Sequence, residues 1–201
     1  MEIIIALCLG ITLSAACGFR VFLPPLALSI AATYGNFPLS SGFEWVGTKE
    51  AAIALGVATI IEVSAYYIPF IDNLLDTIQV PVAVGIGTVI TAATLGHTDP
   101  VLQWTLAVIA GGGTAGLTGT LASLTRLAST GLTGGLGNFI VATLEAVGSI
   151  SLSILGLTFP LWTAAILLAA LIITAIVFLV NPPAILKDVM ARKDRITTSD
   201  R

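Results

Sequence analysis

Residues 161–180, LWTAAILLAALIITAIVFLV, form a run of twenty residues without a charged side chain. About 20 apolar residues in a helix are long enough to cross a hydrocarbon core of about 30 Å. The rest of the chain is similar, since 56% of its 201 residues are hydrophobic, 9% are charged, and the mean hydropathy is +1.04. Soluble domains contain about 25% charged residues. We therefore predict an all-α integral membrane protein.

Five further apolar stretches precede this one and give six predicted membrane spans: residues 3–33, 51–70, 74–95, 101–130, 136–157 and 161–180. The first and fourth stretches are too long for one straight span. Pro24 and Pro25 interrupt the first, and a glycine run at 111–113 interrupts the fourth. We expect these two helices to be broken or re-entrant.

The charged residues predict the orientation of the chain in the membrane. Five of the eight basic residues lie in the last fifteen positions, after an Asn-Pro-Pro sequence at 181–183 that ends the last helix. We predict one transmembrane domain at residues 1–183 and a basic cytoplasmic tail at 184–201, because basic segments stay on the cytoplasmic side. Six spans then place the N-terminus in the cytoplasm too, in a multi-pass protein of the cell (inner) membrane.

Two short sequences indicate an internal duplication. VATIIE at residues 57–62 recurs as VATLE at 141–145, and each follows an overlong stretch with one arginine, Arg20 or Arg126. Half-repeats at 1–97 and 101–183 would each contain three spans, so the second would enter the membrane in the opposite direction. Many secondary transporters have this inverted-repeat plan. A chance match in so biased a composition is the alternative.

Besides Asp76 at the start of the third span, four charged residues fall inside the predicted spans: Arg20, Glu62, Arg126 and Glu145. A charge at the bilayer centre costs about 2.5–3.5 kcal/mol on insertion scales, so such charges are paired or functional. In one interpretation, Glu62 and Glu145 bind a cation or carry protons, while the arginines pair with them or gate the path. In the other, each glutamate forms a structural salt bridge with an arginine. The sequence leaves open which arginine meets which glutamate.

Asp72 and Asp76 lie four residues apart at the start of the predicted third span. On a helix they share one face and could bind a cation together. Alternatively, Asp72 caps the helix and Asp76 lies in its first turn, where the helix dipole favours negative charge. We include both among the candidate ion-binding residues.

Gly112 and Gly116 are spaced as in the small-xxx-small pattern of close helix packing. Glycine runs also bring the backbone close to substrate in transporters, which is the second interpretation of these residues.

Several functions are disfavoured by what the sequence lacks. Before the tail only three basic residues occur, too few for a nucleic-acid-binding face. His97 is the single histidine, so no metal is assigned. No cofactor is predicted. No catalytic motif pairs a serine or cysteine nucleophile with a base, and we expect a protein that is not an enzyme.

Two motifs resemble a known family. GFRVFLPPL at residues 18–26, and IPFIDNLLD at 68–76 after Glu62, resemble the bacterial membrane proteins of domain-of-unknown-function family 4126. In the later half, Arg126 and Glu145 match the family's arginine and downstream acidic residue. This resemblance implies a bacterial multi-pass membrane protein and supplies no activity.

Two functions follow as hypotheses. The first is a small transporter or channel-like protein for a cation, proton or small solute. The second is a non-transporting scaffold that binds lipid, pigment or partner subunits against its glycine-rich faces. Membrane lipid is the expected partner in both, and a second copy of the chain is a candidate partner.

Overall fold

A computed structural model describes residues 2–96 and 98–180, and all regular secondary structure in this part of the chain is helical. Contacts divide the chain into two units, residues 1–164 and 165–201. The α-helices are α1 (Glu2–Phe19), α2 (Leu23–Gly35), α3 (Lys49–Ala65), α4 (Pro69–Thr94), α5 (Pro100–Leu106), α6 (Gly113–Thr133), α7 (Asn138–Thr158) and α8 (Pro160–Val180). A 3-10 turn, Glu44–Gly47, precedes α3, and a π-helical segment, Ala107–Gly112, joins α5 to α6.

Five helices in the described residues are long and apolar enough to cross a membrane: Glu2–Phe19, Leu74–Thr94, Pro100–Thr133, Asn138–Thr158 and Pro160–Val177. The chain is therefore a multi-pass membrane protein. The predicted second span coincides with α3, which has 17 residues and a length of about 25 Å at 1.5 Å per residue. That is shorter than a typical hydrocarbon core. The count of six spans and the inverted repeat remain predictions.

The first overlong stretch is broken, as expected. Helix α1 ends at Phe19 and α2 begins at Leu23. Pro24 and Pro25 explain the break, because in a continuous helix their rings would collide with the carbonyl groups four residues earlier. In the first turn of α2 their missing N–H groups need no partner. The fourth stretch, by contrast, runs from Pro100 to Thr133 without a break and contains only the π segment.

Helix α1 is the central helix of the first unit. Ten consecutive residues, from Leu9 to Gly18, are buried, and α1 packs against α4, α6 and α7. A helix that is buried on all sides must be apolar or small all round, which matches its sequence. Leu9, Leu13 and Cys17 form one core cluster with residues of α2 and α4.

Small residues let these helices approach closely. A Cβ atom on Gly18 would lie 2.0 Å from Thr118 Oγ1 of α6. Thr118 donates to the carbonyl oxygen of Ala15 at 3.0 Å, and Ser14 of α1 donates to that of Gly87 in α4 at 2.7 Å. In a membrane such close contacts and interhelical hydrogen bonds replace the hydrophobic effect as the cause of association.

Helix α7 has a polar inner face and an apolar outer face. Its buried residues recur every three or four positions: Asn138, Ala142, Glu145, Ser149, Ser153 and Gly156. Ile140, Leu144 and Ile154 on the other side are exposed. In soluble proteins the apolar face of a helix is buried and the polar face is exposed. The reverse arrangement in α7 fits contact with lipid on the outside and with other helices on the inside.

The basic tail, the Asn-Pro-Pro stop and His97 lie outside the described residues, so the predictions made for them stay predictions.

Candidate functional site

The helix break carries Arg20 into the protein interior. The side chain is completely buried, although arginine is the bulkiest charged residue. Its Nη1 donates to Glu145 Oε2 at 3.1 Å, and its Nη2 donates to the carbonyl oxygen of Ala142 at 2.7 Å. Arg20 therefore connects the break between α1 and α2 to one turn of α7.

Arg126 of α6 binds the same glutamate from another direction. Its Nε donates to Glu145 Oε1 at 3.0 Å, and its Nη2 donates to Oε2. Its Nη1 donates to Asp72 Oδ1 and lies 3.5 Å from Asp76 Oδ1. Glu145 is thus shared by two arginines, and Arg126 is shared by three carboxylates.

The ring of Tyr66 contacts both guanidinium groups. Arg20 Cζ is 3.9 Å and Arg126 Cζ is 4.2 Å from the centroid of its ring. The negative face of an aromatic ring attracts a cation. The ring therefore stabilises two like charges that would otherwise repel each other. We call Arg20, Tyr66, Asp72, Asp76, Arg126 and Glu145 the ion-pair cluster.

The two aspartates of the cluster differ in their surroundings. Asp72 is buried, and its Oδ2 accepts a hydrogen bond from Asn138 Nδ2 at 3.2 Å. The Asp76 side chain is 22% exposed. Its Oδ1 is buried and has no hydrogen-bond partner in the described part of the chain. Asp72 is consequently held in place, whereas Asp76 keeps an unused acceptor.

Two cavities lined by described residues border charged groups of the ion-pair cluster. One, of about 180 Å³, is lined by Tyr66, Asp72, Asn138 and the turn between α6 and α7. That turn contains Gly134 and Gly135, both with positive φ. The other, of about 220 Å³, lies between α6 and α7 and has Glu145 in its wall. Charged groups at the centre of the cluster thus border space on two sides.

Glu62 stands outside the cluster. Its Oε1 accepts a hydrogen bond from the backbone N–H of Val21 at 2.6 Å, and its Oε2 accepts one from that of Phe22 at 3.0 Å. The helix break leaves these two N–H groups without helical partners, and the carboxylate satisfies both. Neither arginine forms an ion pair with Glu62 among the described residues.

The structure also places the two predicted glycines. Gly112 faces α4, where a Cβ atom would lie 2.6 Å from Thr88 Oγ1. Gly116 lies one turn further on, and a Cβ atom on it would lie 3.1 Å from Val84 Cγ2. Both occupy helix-packing positions against α4, Gly112 at the end of the π-helical segment and Gly116 in the first turn of α6.

A family model described as Domain of unknown function (DUF4126) matches residues 7–181. The chain belongs to this family. No curated protein and no solved structure matches the chain. The match to DUF4126 includes every residue of the ion-pair cluster and Glu62.

Sequence reasoning missed Tyr66 and Asn138 in this DUF4126 chain. Both could have been found from spacing, because Tyr66 follows Glu62 by four residues and Asn138 precedes Glu145 by seven. These intervals place each pair on one helix face. The structure brings together five of the charged residues that the sequence analysis selected: Arg20, Asp72, Asp76, Arg126 and Glu145. Their role in ion binding stays a prediction. Among the described residues, no group of three His, Cys, Asp or Glu side chains could hold a metal ion.

Proposed function

We propose that this protein is a membrane carrier or channel for protons or monovalent cations, in which Asp76 is the carboxylate that binds and releases the ion. The observation that carries the proposal is the unused Asp76 Oδ1, which is buried beside Arg126 and lacks a hydrogen-bond partner in the described part of the chain.

The charge of the cluster favours uptake of one positive charge. Arg20 and Arg126 supply two positive charges, against the three carboxylates of Asp72, Asp76 and Glu145. An uncompensated charge in a low-dielectric interior is unfavourable. One proton or one monovalent cation neutralises the excess, whereas a divalent cation would reverse its sign.

The contacts of the carboxylates indicate which of them is labile. Glu145 accepts hydrogen bonds from both arginines, and Asp72 is bound by Arg126 and Asn138. Among the described residues, Asp76 has only the 3.5 Å contact with Arg126. Protonation of Asp76, or binding of a cation to it, disrupts fewer interactions than the same event at Glu145 or Asp72. Asp76 can therefore exchange its ion most readily.

The two cavities supply candidate routes to the cluster. One reaches Asp72 and Tyr66, and the other reaches Glu145. In the proposed mechanism the first gives access from the end of the bundle that holds the α6–α7 turn, and the second opens between α6 and α7 about two helical turns further in.

The proposal includes the two inverted halves. Each half contains one such arginine and one such glutamate, and Arg20 of the first half pairs with Glu145 of the second. Secondary transporters place their ion sites at such a repeat interface. The protein acts in the cell (inner) membrane, with its C-terminus in the cytoplasm, and as a carrier or channel it makes and breaks no covalent bond.

The test is ion flux into liposomes that contain the purified full-length protein. Proton movement is followed with a pH-sensitive dye inside the vesicle, and Na⁺ and K⁺ movement in parallel samples. We expect Asp76→Asn to lower the flux of the transported ion at least about tenfold, since an amide cannot bind a proton or balance a cation. The fold should survive, because Asp76 makes one long contact.

Glu50→Gln is the matched control, because Glu50 lies exposed in the first turn of α3. It should leave the flux unchanged. Wild-type flux in Asp76→Asn would contradict the assignment of Asp76. If the intact protein moves no proton, Na⁺ or K⁺, the proposal that it transports these ions is wrong. The non-transporting scaffold then becomes the better hypothesis.

A further inference from the structure

A third cavity, of about 280 Å³, lies between α3 and α4 beside the helix break. Of the described residues that line it, eight are apolar, among them Ala58 and Ile61 of α3 and Leu75 and Ile78 of α4. Helix α3 packs mainly against α2 and against the 3-10 turn that precedes it. An apolar space therefore separates α3 from α4, although the two helices follow each other in the chain.

The polar groups of the lining residues are used elsewhere. Both carboxylate oxygens of Glu62 accept backbone N–H groups of the helix break. The amide nitrogen of Gln79 donates to two carbonyl groups at the end of α1, at 2.9 Å and 3.2 Å. The wall that the cavity presents is consequently almost entirely apolar. A buried water needs two to four polar partners, so this cavity disfavours water.

The size of the cavity suits an apolar occupant. A dry apolar cavity of about 150 Å³ is large enough to bind benzene, and the cavity between α3 and α4 is larger. Side chains that border a void lose dispersion contacts on that side. A hydrocarbon group in the cavity restores these contacts and gives α3 and α4 a common packing partner.

The mouth of the cavity faces the bilayer. Ile61, Ile78 and Val82 line the cavity and are 63%, 49% and 39% exposed. Ile78 and Val82 belong to the membrane-crossing segment Leu74–Thr94. The exposed apolar surface continues along α3 through Val57 and Ile60. The cavity is thus continuous with the lipid-facing surface, and the material that meets its mouth is the hydrocarbon of the bilayer.

We propose that this cavity binds one acyl chain of a membrane lipid, inserted from the bilayer between Ile61 of α3 and Ile78 of α4. The chain is held between two helices, which distinguishes it from the lipid that surrounds the protein. Glu62 directs its charge at the helix break, so the site selects the chain and not the headgroup. The inference does not depend on the ion flux proposed above.

The test is photolabelling of the purified full-length protein in phosphatidylcholine nanodiscs. A trace of phosphatidylcholine with a diazirine in its acyl chain gives a carbene on irradiation, and mass spectrometry of peptides locates the adducts. Ile140 of α7, which is exposed to lipid, is the reference. We expect adducts on Ile61, Leu75 and Ile78 at least about fivefold more often than on Ile140, a preference of about 1 kcal/mol.

A substitution that fills the cavity tests the position of the chain. Ala58→Leu enlarges a lining residue of α3 and removes no polar group. It should lower the adducts on Leu75 and Ile78 at least about fivefold, because the leucine occupies the space of the chain. Ala54→Leu is the matched control, since Ala54 lies exposed one turn earlier on α3. It should leave the adducts unchanged.

The wild-type adducts are informative even if Ala58→Leu fails to fold. Adducts on the lining residues that are no more frequent than those on Ile140 would overturn the proposal, as they would if a second copy of the chain covered the cavity. Equal labelling of wild type and folded Ala58→Leu would also overturn it. A phosphatidylglycerol probe with the same chain should give the same pattern, and loss of the adducts with that headgroup would contradict selection by the chain.

Discussion

Tyr66 shows how one uncharged residue can organise charges in a membrane protein. Its ring contacts both guanidinium groups, whose carboxylate partners approach from other directions. Each arginine therefore has an anion on one side and an aromatic face on another. Attraction to the ring reduces the repulsion between two buried cations, which in this cluster share a single glutamate.

We predict that Tyr66→Leu lowers the free energy of unfolding by about 2 kcal/mol or more, because two desolvated cation–π contacts are lost. Tyr66→Phe keeps the ring and should change stability by less than about 1 kcal/mol. Unfolding by titration with dodecyl sulfate in detergent micelles measures both. Equal destabilisation by the two variants would show that the ring face contributes nothing.

At the scale of elements, the break between α1 and α2 serves two purposes. It turns Arg20 toward α7, and it releases the N–H groups of Val21 and Phe22, which Glu62 accepts. The prolines thereby determine the position of an arginine on one side of the break and of a glutamate on the other. The stiffness of the two prolines therefore affects where the buried charges of Arg20 and Glu62 lie.

Packing of α1 against α6 depends on the absence of a side chain at Gly18. A Cβ atom there would meet Thr118 Oγ1 at 2.0 Å and the backbone nitrogen of Gly119 at 2.5 Å. We predict that Gly18→Ala destabilises the protein by about 1–3 kcal/mol, since overpacking forces the helices apart. The same unfolding titration gives the value.

Gly85→Ala in α4 is the control for this substitution, because its Cβ atom would meet nothing within 4 Å. It should be neutral or stabilising, as alanine is the better helix former by about 1 kcal/mol. If Gly18→Ala is as stable as Gly85→Ala, then α1 and α6 can move apart without lowering the free energy of unfolding.

At the scale of the whole molecule, the number of spans depends on α3. Five helices in the described part of the chain are long enough to cross the membrane, and α3 falls short by about 5 Å of a 30 Å core. Local thinning of the bilayer or the residues that follow α3 can make up such a difference. Ala6 of α1 and Ser40, which follows α2, both contact the last turn of α4, so α1 and α2 enter and leave at the same end. With α3 as a span, the described helices from α3 onward make five crossings, which place the termini on opposite sides.

We predict that the two termini lie on opposite sides of the membrane, with the C-terminus in the cytoplasm. Fluorescent and alkaline phosphatase reporters fused separately to each terminus in bacterial cells measure this directly. A fusion after Gly42, in the connection between α2 and α3, should report the same side as the N-terminus and serves as the control, because Ala6 and Ser40 both contact the last turn of α4. Two cytoplasmic termini would contradict this topology and support six spans.

The apolar composition by itself determined that the chain is helical and embedded in lipid, because only a helix or a closed barrel satisfies the backbone there. The two prolines predicted the break after Arg20, since their ring geometry acts on neighbours along the chain. Because charged residues are scarce, the sequence also indicated Arg20, Arg126, Glu145 and the two aspartates as candidate functional residues.

The partners of those charges were decided only by the tertiary structure. Glu62 and Glu145 look equivalent along the chain, yet one accepts the backbone of the helix break and the other accepts two arginines. The contacts of Tyr66 and the cavity between α3 and α4 became visible only with the helices in place. The physical reason is that an ion pair or a cavity depends on distances between helices, whereas sequence periodicity specifies only the face on which a side chain lies.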